Sequence, residues 1–298
     1  MRLKKYPYTE ILGWSASRFE RFSSCKRQYY FDYYAKRYDR EVDQKLLLRL
    51  KNLTSTALEV GNLVHDIIKA LLERLIRSNA PLDGERLLNY SMNLCDQYCD
   101  SKEFFEVYYQ QISQIDKAGI KERVKEYVLV LLNSERFKWL LENALPFSQE
   151  WLVEPEGFGE TRIEGLKAYC KVDFLFRVGD KIYIIDWKTG KEDLQKQSRQ
   201  LKGYTAFACD HFGARAEDVI CILFFFKDNR EMEFSFSSEE ILEFTNSIRN
   251  ETTEMLSYTS QPQRNIPKSK DEFFMTENSS VCKFCNYKAI CFPGELSA

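Results

Sequence analysis

The chain has 298 residues, 44% hydrophobic, 30% charged and 14% aromatic, with 43 lysines and arginines against 45 aspartates and glutamates. That length suits one large or two modest globular domains with a substantial core. A formal charge of −2 excludes a surface that attracts polyanions everywhere, so any nucleic-acid site must be a local basic patch. No run of about 18 apolar residues marks a membrane span. The opening "MRLKKYPYTE" has no apolar stretch after its lysines, so no signal peptide is expected. The nine cysteines are then expected as reduced thiols or metal ligands in the cytoplasm rather than as disulfides.

Residues 15–38 read as one aromatic helix, with Ser15 or Ser17 as N-cap and Cys25 set among polar and basic neighbours in "FSSCKRQYYF". A second helix is expected over about 58–78, where Val64, Ile67, Ile68, Leu71, Leu72 and Leu75 follow a 3.6 period. His65 lies beside that stripe, a position where a lone histidine is commonly structural. "PLDG" at 81–84 breaks the pattern, and further helical segments run to about 144, before Pro146.

The texture changes at 150. "EWLVEPEGF", "LKAYCKVDFLFRV" and "KIYIIDWKT" predict three successive strands, with turns at "GFGE" and "RVGD". Side chains alternate along a strand, so Tyr183, Ile185 and Trp187 share one face while Ile184, Asp186 and Lys188 share the other. Asp173 interrupts the preceding apolar run, where an unpaired carboxylate is costly. If those two strands pair through the "RVGD" turn, Asp173 and Asp186 converge. Two convergent carboxylates make an oxygen-rich site for a hard divalent cation, and a neighbouring lysine can orient water or offset charge on a phosphoryl group. An Asp-x-Lys pair alone is commonly a solvated pair of little consequence.

A helix is expected over 193–212, with a core stripe of Leu194, Leu201, Thr205, Ala208 and Phe212. A neighbouring stripe holds Gln197, Gln200, Tyr204, Phe207 and His211, and a basic ridge holds Lys196, Arg199 and Lys202. Gln and Tyr one turn apart beside cations could hold a nucleic-acid backbone, although a plain surface helix has the same spacing; His211 reads as structural. A strand "DVICILFFF", a partner "REMEFSFS", a helix over about 238–258 and an irregular "YTSQPQRNIPKSK" follow.

The tail "VCKFCNYKAICFPG" holds Cys282, Cys285 and Cys291 as C-x2-C-x5-C, which predicts a metal that staples it and needs a fourth ligand. Cys95 and Cys99, at i and i+4, could offer one. Cys170, Cys209 and Cys221 lie in apolar contexts, where a free cysteine packs as a small hydrophobe. Spacing alone leaves zinc and an iron–sulfur cluster equally open.

Asp173, twelve intervening residues, and Asp186-Trp187-Lys188 resemble the PD-(D/E)XK nuclease superfamily, in particular its RecB-like branch, with Val172 where proline is usual. The resemblance implies an α/β, restriction-endonuclease-like αβββαβ core over 149–260. A helical N-terminal half (1–148) would precede it and a cysteine-rich tail (261–298) would pack back on that half. It implies Mg²⁺ or Mn²⁺ held by Asp173, Asp186, His65 (from Gly61-x-x-x-His65) and the Trp187 carbonyl, with Lys188 catalytic. Gln200 and Tyr204 match the branch's Gln-x-x-x-Tyr motif. Ser15-Ala16-Ser17-Arg18-Phe19 ahead of Cys25 resembles the lead-in to the upstream ligand of a [4Fe-4S] cluster, completed by Cys282, Cys285 and Cys291; Lys26 stands where proline is usual. The residues from about 79 to 148 match nothing in this pattern and read as a helical insertion. No G-x-x-x-x-G-K-[ST] phosphate loop is present, so a stand-alone nuclease is expected. The expected function is a DNA exonuclease acting on single-stranded ends, alongside other DNA-processing proteins and away from membranes. The alternative is an iron–sulfur DNA-binding adaptor; the presence of His65, Asp173, Asp186 and Lys188 separates the two.

Overall fold

The computed structural model describes residues 1–78, 80–155 and 159–293. Its centre is a five-stranded sheet ordered β1–β4–β5–β6–β7, built from β1 (Leu152–Val153), β4 (Phe174–Val178), β5 (Lys181–Lys188), β6 (Val219–Phe225) and β7 (Arg230–Phe234). β4 and β5 are antiparallel, β5 and β6 parallel, and β6 and β7 antiparallel. A parallel pair needs a crossover, which here is the helix Leu194–Phe212, ending at Gly213 in the left-handed region (φ 65°). β5 and β6 are covered on both faces, which is why they read as nearly continuous apolar runs. The edge strand β7 alternates half-buried and exposed residues instead.

Two apolar cores lie against the sheet. One joins Ile182 and Ile184 to α1 (Ala16–Ser24), α6 (Leu194–Phe212) and α7 (Ser238–Leu256) through Phe22, Leu201 and Ile248. The other joins Ile185 and Trp187 to α2 (Thr56–Arg77), α3 (Gly84–Ser101), α4 (Lys117–Asn133) and α5 (Glu135–Asn143). The alternation read from "YIIDWK" thus divides β5 between two layers. The protein is mixed α/β with a helical N-terminal half, as expected. No helix among the described residues is long and apolar enough to cross a membrane.

Three expectations need correction. The predicted strand over 166–178 is two strands: β3 (Leu166–Tyr169) turns away from the main sheet and pairs with β2 (Glu160–Ile163) as a separate hairpin. Its two-residue turn has Glu164 at φ 47° and Gly165 at φ 78°, the positive-φ pair that a tight hairpin demands. The "GFGE" turn lies partly outside the described residues. The predicted helix over 15–38 breaks at Cys25, which is extended (φ −159°, ψ 114°), and resumes over Lys26–Tyr30 and a π-helical turn, Phe31–Ala35. Ser15 is the cap, accepting from the Arg18 N–H. The supposedly irregular 258–270 contains a short antiparallel pair, Thr259–Gln261 with Ile266–Pro267.

Candidate active site

The β4–β5 register pairs Phe174 with Ile185, so Asp173 and Asp186 come together one step further along. The Trp187 N–H donates to Asp173 Oδ2 at 3.1 Å. Asp186 is 1% exposed, and its Oδ2 has no hydrogen-bond partner; it meets the Lys188 ammonium in a close ion pair that lacks hydrogen-bond alignment. Lys188 Nζ donates to Gln200 Oε1 (2.9 Å), Gln200 Nε2 to Tyr204 Oη (2.5 Å), and Tyr204 Oη to Asp186 Oδ1 (3.2 Å). Four side chains from β5 and α6 therefore close a ring in which each fixes the next. Burial, and then the neighbouring Asp186 carboxylate, hold the Asp173 carboxyl well above the ordinary carboxylate range. Burial and the same two carboxylates raise the Tyr204 phenol.

His65 arrives from α2. Its Nε2 donates to the Trp187 carbonyl at 2.9 Å, so the proton sits on that nitrogen. Its Nδ1 lies 3.5 Å from Asp173 Oδ2 and 4.0 Å from Glu154 Oε1. Gly61 lets the helix approach, since a Cβ there would stand 3.1 Å from Thr189 Oγ1, just past the end of β5.

Glu154 is a site residue that the sequence reading missed. It follows β1 with φ 35°, its N–H donates to the Asp173 carbonyl at 2.8 Å, and its carboxylate accepts from Lys171 at 3.2 Å. The only sequence signal was an acid before Pro155 at a strand end, which is ordinary turn chemistry.

The donor set fits a hard cation chemically. The cavity of about 660 Å³ over these residues is lined by the acids Glu59, Asp66, Glu154, Asp173 and Asp186 against Lys102, Lys171 and Lys188, an excess of carboxylate that would repel phosphate unless a cation offset it. Among the described residues, no three His, Cys, Asp or Glu side chains are already grouped to hold a metal ion.

The basic ridge is less free than its spacing suggested. Lys196 pairs with Glu20 at 2.7 Å. Arg199 pairs closely with Glu251, which also accepts from Trp14 Nε1 at 2.8 Å. Lys202 lies over the Phe236 ring and 3.8 Å from Glu240. Leu194, assigned to the core stripe, is exposed. His211 sits in a structural lock, accepting the Lys4 N–H at Nδ1 (3.1 Å) and donating from Nε2 to the Glu160 carbonyl (2.9 Å).

Cys25, Cys282, Cys285 and Cys291 line one narrow cavity with Gln28 and Tyr287. Burial pushes the Cys285 thiol up to about 12 and the Cys291 thiol to about 11. Cys95 and Cys99 are buried in the core on the other face of the sheet and cannot serve as the tail's fourth ligand. Cys170 and Cys221 are buried, and Cys209 is half-buried.

The model of the PD-(D/E)XK nuclease superfamily matches residues 13–292. Among solved structures, the crystal structure of SSO0001 is similar at 17% identity, over 63% of this chain and 78% of that one, with a TM-score of 0.31. Comparison with curated proteins gives no match.

Proposed function

We propose, on the premise that this chain belongs to the PD-(D/E)XK nuclease superfamily, that it is a divalent-metal-dependent DNA exonuclease of the RecB-like iron–sulfur branch, acting on single-stranded ends. The observation that carries this reading is the closed ring of Asp186, Lys188, Gln200 and Tyr204 with Asp173 beside it. Asp173, Asp186, His65 and the Trp187 carbonyl would hold Mg²⁺ or Mn²⁺. Such an ion supplies Lewis-acid activation of water and of the phosphodiester when bound. Lys188, fixed between Asp186 and Gln200, orients the attacking water and offsets the charge growing on the phosphoryl oxygens as one P–O bond forms and another breaks. Tyr204 and Gln200 set the angle at which that ammonium stands.

The four cysteines Cys25, Cys282, Cys285 and Cys291 would hold a [4Fe-4S] cluster. What supports this is their convergence from distant parts of the chain on one cavity. Its role would be to clamp, not to transfer electrons, and thiolate ligands suit a reducing cytoplasm.

The test is a time course on end-labelled single- and double-stranded DNA with Mg²⁺ or Mn²⁺. Asp186→Ala is expected to lower the cleavage rate about 100-fold or more. Equal rates for variant and wild type would remove the assignment.

A further inference from the structure

A second cavity, of about 580 Å³, opens beside the first, and the two share Lys171 and Gln200. It runs between the start of α1 and α6 and is lined by Arg18, Tyr33, Lys196 and Arg199. Three of the cations along it, Lys171, Lys196 and Arg199, are matched by Glu154, Glu20 and Glu251. Arg18 is not. It is 8% exposed, yet no carboxylate among the described residues pairs with it.

Its Nε donates to Tyr29 Oη and its Nη1 to the Gly13 carbonyl, both at 3.2 Å, with the Tyr34 phenol also within hydrogen-bonding reach, so its close partners are neutral groups. A buried charge without a counter-charge is costly, and a guanidinium fork matches phosphate. Beside it, Tyr33 is 43% exposed, an aromatic ring left at the cavity wall, with the guanidinium 4.3 Å from its centroid. The π-helical turn Phe31–Ala35 places it there; such turns recur where a helix is bent to present a functional side chain.

A cationic donor beside an exposed ring, in a channel continuous with a phosphodiester site, matches the chemistry of an unstacked strand. We propose that a single-stranded nucleic acid enters along this groove, with one base stacked on Tyr33 and one phosphate held by Arg18. A duplex, whose bases face each other, offers nothing to that ring. The proposal rests on the nuclease reading and names how its substrate is recognised.

The test measures binding of fluorescent oligothymidylate and of a blunt duplex by the full chain, without added divalent cation, across a salt series. Tyr33→Ala is expected to weaken single-strand binding about ten-fold, with Tyr33→Phe near wild type. Duplex binding should be unchanged by either. Arg18→Gln should reduce the slope of log affinity on log salt by about 0.7, the loss of one single-strand phosphate contact. Should Arg18→Gln fail to fold, the Tyr33 pair decides alone, because that ring is at the surface. Tyr33→Ala binding as tightly as wild type, or Tyr33→Phe losing as much as Tyr33→Ala, overturns the groove. If wild type cleaves DNA with Mn²⁺ while Tyr33→Ala binds normally, only the groove falls. If wild type neither binds nor cleaves, the nuclease reading falls with it.

Discussion

Gly61 shows how one missing methyl group can hold a site together. A Cβ at that position would press Thr189 Oγ1 at 3.1 Å, so the threonine hydroxyl or the approach of α2 to the end of β5 must give by a few tenths of an ångström. His65, one turn on, keeps a 2.9 Å bond to the Trp187 carbonyl only while that spacing holds. Gly61→Ala raises intrinsic helix propensity by about 1 kcal/mol, so melting temperature should hold or rise. Cleavage should nevertheless fall about ten-fold or more, since small displacements of positioned groups are expensive in rate. Adding Thr189→Ala, which removes the obstructing oxygen, should restore most of it. Parallel loss of stability and activity in Gly61→Ala would argue instead for a packing fault.

Among the elements, the N-terminal segment is a strap. The Trp14 N–H donates to the Lys167 carbonyl and the Tyr169 N–H to the Trp14 carbonyl, extending the β2–β3 hairpin. Asp210 on α6 accepts from Tyr6, Thr161, Lys4 and the Arg162 N–H, and His211 accepts the Lys4 N–H. Burial, with Lys4 nearby, holds the His211 imidazolium less favourable than usual, against the opposing pull of the Glu160 carbonyl and Asp210. Its folded value is therefore depressed, and the unfolded chain takes up the proton first as pH falls below about 6.5. Stability from this contact is complete at neutral pH and declines on acidification through the folded value. Hydrogen exchange at the Lys4 amide, corrected for intrinsic rate, should accelerate over that interval, and His211→Gln should flatten the effect. A pH-independent amide would refute the lock.

Sequence made the central strands plain because residues covered on both faces leave an unbroken apolar signature, and Asp173, Asp186 and Lys188 stood out as charges inside it. The separation of β3 from β4 escaped notice because their strand signals run together across Cys170–Asp173 with no glycine or proline between them. Arg18 and Tyr33 also gave no sign of their pairing. They look like an ordinary surface arginine and one tyrosine among many until the break at Cys25 and the π-turn bring them to the same wall.

At the scale of the whole molecule, residues far apart in the chain meet at the tail. Tyr287 Oη donates to Asp32 at 2.6 Å, Asn286 Nδ2 to the Leu53 carbonyl at 2.9 Å, and Tyr109 Oη to the Asn286 carbonyl at 2.5 Å. Each such bond contributes about 1 kcal/mol, so a clamp at Cys25, Cys282, Cys285 and Cys291 would reinforce a junction that already exists. Anaerobically purified protein should be brown and hold iron and sulfide. Cys25→Ser should lose both, with amide exchange rising together in residues 25–38 and 279–293. Zinc in place of iron, or loosening confined to one segment, would defeat the cluster assignment.

Gln200, which accepts from the Lys188 ammonium, and Tyr204, which accepts from Gln200, ride on the same rigid rod as Lys196 and Arg199, which face the groove. A rod does not shift at one point alone. A strand in the proposed groove that shifted this rod would therefore move the Gln200 amide and the Tyr204 phenol with it.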